Sequence, residues 1–168
     1  MEKRQSISNI ERQNVLNNRF AVETIQKALN IEAMYFDGQY CFTKQMAANF
    51  YEVDERTIER YLESHEQELK HNGYFLCKGK LLKELKLQFL PVINVGKNTP
   101  QIGLFNFRSF LNIGMLLSES EKAKQVRSLI LDIVIATINE KSGGGTKYIN
   151  RRDANYIPSA VAKDYFCK

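Results

Sequence analysis

The sequence predicts an α+β domain, mostly α: a helix-turn-helix, winged or flanked by a short β-hairpin, with a second helical unit after it. Three observations predict it. Apolar residues recur at three- and four-residue spacing over residues 8–30, 43–69 and 107–141. Asp37-Gly38 lies between two short aromatic-rich segments, and Asp-Gly supplies the positive φ angles of a tight hairpin turn. The 168 residues are 43% hydrophobic and 26% charged, an ordinary globular composition with room for one domain or two small ones.

Each element follows from its residues. Residues 8–30 read as one helix: Val22, Ile25 and Leu29 keep helical spacing, Leu16 and Phe20 stand four apart, and no glycine or proline intervenes. Residues 32–42 form the hairpin, whose second arm leads into a helix at Thr43. Residues 43–69 hold two helices, and His71-Asn72-Gly73 breaks the second. Residues 74–77 are a short strand, Lys78-Gly79-Lys80 is a turn, and the leucine and lysine mixture of 81–90 suits either state. Residues 91–103, with Pro91, Gly96, Pro100 and Gly103, read as an irregular connection. Phe107, Phe110, Leu111 and Gly114 mark one face of a further helix. Ser118-Glu119-Ser120-Glu121 then fits a capping box, the Ser118 hydroxyl and Glu121 carboxylate each meeting an orphan amide. The helix it opens repeats Ala123, Val126, Ile130, Ile133, Val134 and Thr137. It ends near Lys141, because Ser142-Gly143-Gly144-Gly145 cannot continue it.

This order divides the chain into a helix-turn-helix region with its hairpin (1–90), a helical unit packed on it through Val126, Ile130 and Ile133 (91–142), and a glycine linker with a tail that looks like the start of a further region (143–168). The longest apolar stretch, 129–138, contains Asp132 and is well short of the ~20 residues of a membrane span. Polar residues follow Met1, so no secretory signal is read. Cys41, Cys77 and Cys167 are odd in number and far apart, and imply neither a disulfide framework nor a paired-cysteine zinc site. The expectation is a cytoplasmic chain with no membrane partner.

Residues 43–62 carry the chemistry. Met46, Ala47 and Phe50 give a first helix its packing face, and Ala47 is small where two helices must cross closely. Tyr51 and Glu52 connect, Val53 plugs the corner, and Asp54 suits the N-cap of a second helix. Ile58, Tyr61, Leu62 and His65 line its inner face, leaving Glu55, Arg56, Glu59, Arg60 and Glu63 outside. A helix-turn-helix puts the first residues of its second helix nearest the base edges of the major groove. Arg56 and Arg60 then read guanine or grip phosphate, Thr57 meets a thymine methyl or a phosphate, and Glu55 or Glu59 accepts from cytosine. Thr43, Lys44 and Gln45 open the first helix beside this surface. The usual glycine at the turn is missing, which predicts a turn without positive φ or one of slightly different shape.

Charge complicates the assignment. The chain carries +5 overall, a modest bias toward polyanions. Residues 54–66 hold Asp54, Glu55, Glu59, Glu63 and Glu66 against Arg56 and Arg60, a net of −3 that opposes phosphate. Compensation lies at 70–86, where Lys70, Lys78, Lys80, Lys83 and Lys86 face Glu84 alone, and at 141–168, which includes Arg151 and Arg152; each stretch nets +4. Lys78 and Lys80 tip the turn where a wing would meet a flanking phosphate, with Lys83 behind them.

With these residues in view, 43–62 resembles the helix-turn-helix of RhuM-family proteins, a group related to phage antirepressors and often encoded on mobile elements. Thr43, Met46-Ala47, Phe50, Val53 and Ile58 carry the likeness. Residues 104–127, an apolar helix, a serine-rich turn and an Ala-x-x-x-Arg helix, look like the family's second region, with Val126 where the family has an aromatic. The resemblance spans roughly residues 30–140 and implies a DNA-binding or regulatory module. The expected partners are double-stranded DNA, a second copy of the chain, or, in an antirepressor's manner, another regulator that meets the acidic face of 54–66.

No enzyme chemistry is legible. His65 and His71 lack the four-residue spacing of a helical metal pair, and no Gly-x-Ser-x-Gly, Walker or Rossmann pattern occurs. No catalytic residue, metal ligand or cofactor is assigned. Cys41, Met34, Met46 and Met115 read as core, and Arg127, on a helix near Arg108, as a structural partner of Glu119 or Asp132.

Overall fold

The computed structural model describes residues 9–90, 92–93, 95–96 and 98–141. Asp37 and Gly38 take φ of 50° and 77° and fold β1 (Met34–Phe36) onto β2 (Gln39–Thr43), with Met34 opposite Cys41. This is the conformation a two-residue hairpin turn requires. β2 pairs antiparallel with β4 (Gln101–Asn106), and β4 with β3 (Phe75–Lys78), in the order β1-β2-β4-β3. β4 corrects the expectation of an irregular segment up to Gly103: its first three residues belong to an interior strand. A Cβ on Gly103 would stand 1.9 Å from Tyr74 Oη, so glycine here is what lets that ring lie across the strand.

Alternation along the strands sorts side chains onto two faces. Phe42 and Phe105 point to one, Cys41, Cys77 and Leu104 to the other. The first face is covered by α3 (Lys44–Tyr51), α4 (Glu55–Ser64), α5 (Glu66–His71), α7 (Phe107–Leu116) and α8 (Glu121–Lys141), joined by α1 (Asn9–Asn17) and α2 (Arg19–Leu29). Its centre is aromatic: Phe110 stacks on Phe42 with ring centroids 4.2 Å apart and on Tyr51 at 5.0 Å. The second face is covered by α6 (Gly79–Phe89) through Leu82 and Leu85. The domain is therefore α+β, mostly helical, with eight helices and one four-stranded antiparallel sheet among the described residues. Residues on both sides of position 90 share that sheet and both core clusters.

Three further expectations are corrected. The helix over 8–30 is two helices: Asn18 leaves the helical conformation, and its Oδ1 accepts the Ala21 amide at 3.1 Å to cap α2, a role asparagine fills better than a helix interior. The turn at Lys78-Gly79-Lys80 does not tip a wing, because Gly79, at φ 64°, turns β3 directly into α6. The cap of α8 is Ser120 and not Ser118: its Oγ accepts the Ala123 amide at 2.9 Å and donates to the Tyr51 carbonyl.

A polar network ties α1 to the domain. Arg12 clamps Glu68 side-on with one guanidinium edge, Nε–Oε1 2.7 Å and Nη2–Oε2 2.9 Å. Asn112 donates to the same carboxylate and accepts from Asn72, which in turn accepts from Gln13 and Arg108. Burial raises the Glu68 carboxyl, but the Arg12 and Asn112 hydrogen bonds and the Arg12 and His65 charges outweigh it and hold the group below its ordinary value. No helix among the described residues is long and apolar enough to cross a membrane.

Candidate nucleic-acid interface

Local sequence explains how α3 and α4 are joined. Thr43 Oγ accepts the Met46 amide at 3.1 Å and caps α3. Ala47 and Tyr51 are buried, and the Tyr51 hydroxyl donates to the Phe110 carbonyl at 2.8 Å. α3 ends at Glu52, whose φ of 56° supplies the left-handed residue of the turn. The expected turn without positive φ is thus corrected: the conformation is left-handed and the residue is not glycine. Val53 is half-buried against the core, its amide donating to the Ala48 carbonyl. Asp54 occupies the N-cap position of α4 without a side-chain cap; its carbonyl accepts the Thr57 and Ile58 amides.

On α4, Ile58 and Leu62 enter the core, and Tyr61 and His65 stack beside them. Glu55, Arg56, Glu59, Arg60 and Glu63 are all exposed, and Thr57 is half-buried. Two of the exposed charges are occupied. Lys44 Nζ meets Glu59 Oε1 at 3.1 Å, joining the start of α3 to α4. Arg60 pairs with Glu119, whose other oxygen accepts the Tyr61 hydroxyl at 3.0 Å. Arg56 makes no hydrogen bond or ion pair among the described residues.

Thr43, Lys44, Gln45 and Glu55 meet at one end of the sheet, where with Gln101 and Gly103 they line a cleft of about 300 Å³. Lys78 is the register partner of Gln101 and belongs to the same end. Lys80 and Lys83 stand on α6, across the sheet from α4. Lys78, Lys80 and Lys83 are exposed and form no ion pair among the described residues. Arg151, Arg152 and the glycine linker lie outside the described residues.

Glu119, Ser118 and Tyr61 were not assigned to this surface from sequence. Glu119 lies 59 residues from Arg60, and no spacing rule pairs them. Arg127 does not meet Glu119 or Asp132 as expected: its Nη1 donates to the Gly114 and Leu117 carbonyls at 2.9 and 2.6 Å, bracing the loop that carries Glu119. Burial pushes its pKa down, and the charges of Tyr51, Tyr61 and Glu121 offset this in part. The remaining titratable groups offer little chemistry. Cys41 is pushed up to about 11 by burial with Cys77 and Asp37 nearby, which disfavours the nucleophilic thiolate. Among the described residues no three of His, Cys, Asp or Glu are placed to hold a metal ion.

Compared with known proteins, the chain matches no family model, and no curated protein or solved structure is significantly similar to it.

Proposed function

We propose that the chain is a sequence-specific DNA-binding regulator whose α3–turn–α4 unit acts as a helix-turn-helix. The observation that carries this reading is the first turn of α4: Arg56 is exposed and makes no hydrogen bond or ion pair among the described residues, while Ile58 and Leu62 anchor the helix to the core. A rigid helix with a free arginine in its first turn is what major-groove reading needs. Arg56 reads guanine or phosphate, Thr57 supplies a methyl or hydroxyl contact, and Glu55 or Glu59 accepts from cytosine. Lys44, Gln45 and Lys78, gathered at the same end of the sheet, hold phosphate. Arg60 joins once it leaves Glu119. The resemblance to RhuM-family and antirepressor proteins points to the same class, and a dimer on two half-sites about one helical turn apart is the usual arrangement. The test is fluorescence anisotropy with pooled random duplex DNA across a salt series, beside the Arg56→Ala/Arg60→Ala double variant. Binding that weakens steeply with salt and that the variant loses is the expected result. A variant that binds like the parent removes α4 as the reading helix.

One observation favours a second reading, an antirepressor-like module that binds another regulator. Residues 54–66 net −3, and Glu119 masks one of their two arginines. Such a face suits a basic protein surface better than phosphate. In that case the chain binds no DNA at physiological salt, and the Arg56→Ala/Arg60→Ala variant holds its protein partner as tightly as the parent does.

A further inference from the structure

We infer that the outer line of α6 is a docking surface for an amphipathic helix of another protein, acidic at one end and leucine-rich at the other. Lys80, Lys83, Leu87 and Leu90 fall at i, i+3, i+7 and i+10, a single line along the helix. Leu90 keeps helical angles (φ −52°, ψ −38°), so the line runs unbroken past the last turn. The opposite side is spent: Leu82 and Leu85 are buried against Cys41, Cys77 and Leu104 of the sheet. Along the outer line the solvent exposure is extreme. Leu87 is 86% exposed, more than any other large apolar side chain among the described residues; Leu90 (47%) and, two residues on, Val92 (63%) are exposed as well.

A solvated helix face is polar throughout. This one is basic over its first half and apolar over its second. Lys80 and Lys83, with Lys78 just before them, form no ion pair among the described residues, and Glu84 on the flank is the only acid on the helix. Lys86 is turned aside, its Nζ donating to the Thr99 carbonyl at 3.1 Å.

Charge and lengthwise order select the occupant. A DNA backbone would satisfy the lysines but leave three aliphatic side chains against phosphate. A bilayer-bound helix buries an apolar face along its length; on α6 that face, Leu82 and Leu85, is already buried against the sheet, and only the end of the outer line is apolar. A helix lying along α6 matches both halves at once, carboxylates over Lys80 and Lys83 and leucines over Leu87, Leu90 and Val92. The surface stands on the sheet face opposite to α4, so a duplex at α4 does not occupy it.

The test uses the full chain and a labelled synthetic helical peptide bearing glutamates on one half of its face and leucines on the other. Expected is saturable binding that weakens with salt. It falls by about tenfold or more in Lys80→Glu/Lys83→Glu and in Leu87→Ser/Leu90→Ser, whose thermal unfolding matches the parent because all four side chains are exposed. Two outcomes overturn the inference. One is equal affinity for a peptide with its leucines changed to serine. The other is failure of the peptide with capture of phosphatidylserine vesicles, of duplex DNA, or of a second copy of the chain through these same four residues.

Discussion

Arg60 of α4 is held by Glu119 of the loop between α7 and α8, and the same carboxylate accepts the Tyr61 hydroxyl at 3.0 Å. The pair is exposed, with about half of each side chain in water, so it contributes little to stability. Its weight is electrostatic and positional: it turns an arginine of the α4 surface sideways and sets a carboxylate beside it.

Glu119→Gln follows as a probe of that surface. If α4 reads DNA, this change releases Arg60 and removes one negative charge near the phosphates. The expected effect is tighter binding, by about threefold to tenfold at low salt, and a salt dependence steeper by about one counterion. Anisotropy titrations at several salt concentrations measure both. The protein-partner reading expects the opposite, since Glu119 then belongs to the acidic face.

Acid should undo the clamp between Arg12 and Glu68. The Glu68 carboxyl is held below its ordinary 4.5 in the folded chain, so it stabilises the fold above that value, and the stabilisation is lost as pH falls through the lower folded pKa. Urea unfolding between neutral pH and strong acid should show stability dropping below about pH 4.5, and Glu68→Gln should flatten that limb. Arg12→Ala removes the hydrogen bond and charge that do most to hold the carboxyl down, leaving Asn112 and His65 beside it. The carboxyl pKa should therefore rise, the acid limb should shrink, and the chain should be less stable at neutral pH, read as a lower urea midpoint.

Gly114 is a packing requirement. A Cβ there would lie 2.3 Å from Tyr51 Oη and 2.6 Å from Cζ, and this ring is fixed by its stacking on Phe110 and its hydrogen bond to the Phe110 carbonyl. Gly114→Ala should therefore destabilise by about 1–3 kcal/mol, read as a lower urea midpoint. Any shift of α7 that made room would also strain the Arg127 bond to the Gly114 carbonyl.

What sequence made legible was local. Asp37-Gly38 named its own turn, and the 3.6-residue period the buried stripe of α4. What it hid depended on distant partners. Ser118 and Ser120 both precede α8, and Ser120 is the cap whose hydroxyl also reaches the carbonyl of Tyr51, 69 residues earlier. Gln101–Asn106 is a strand because β2 and β3 flank it, and Gly103 serves that strand because the Tyr74 ring lies across it. The surface of α4 was legible residue by residue, but the masking of Arg60 by Glu119 was not.

The turn between α3 and α4 offers the last test. Glu52 holds φ 56°, a conformation in which a Cβ crowds the following carbonyl. Asn30 and Asp37, the other non-glycine residues at positive φ among those described, are of the kinds that tolerate it; Glu52 is not. Its side chain is exposed and makes no hydrogen bond or ion pair among the described residues that glycine would lose. Relief of the left-handed strain, about 1–2 kcal/mol, outweighs the extra freedom glycine gives the unfolded chain, about 0.5–1 kcal/mol. Glu52→Gly should therefore raise the urea midpoint, and Glu52→Val, β-branched in the same place, should lower it. If glycine instead destabilises, the chain leaves α3 by a different turn, and the orientation of α4, with Arg56 at its head, must be drawn again.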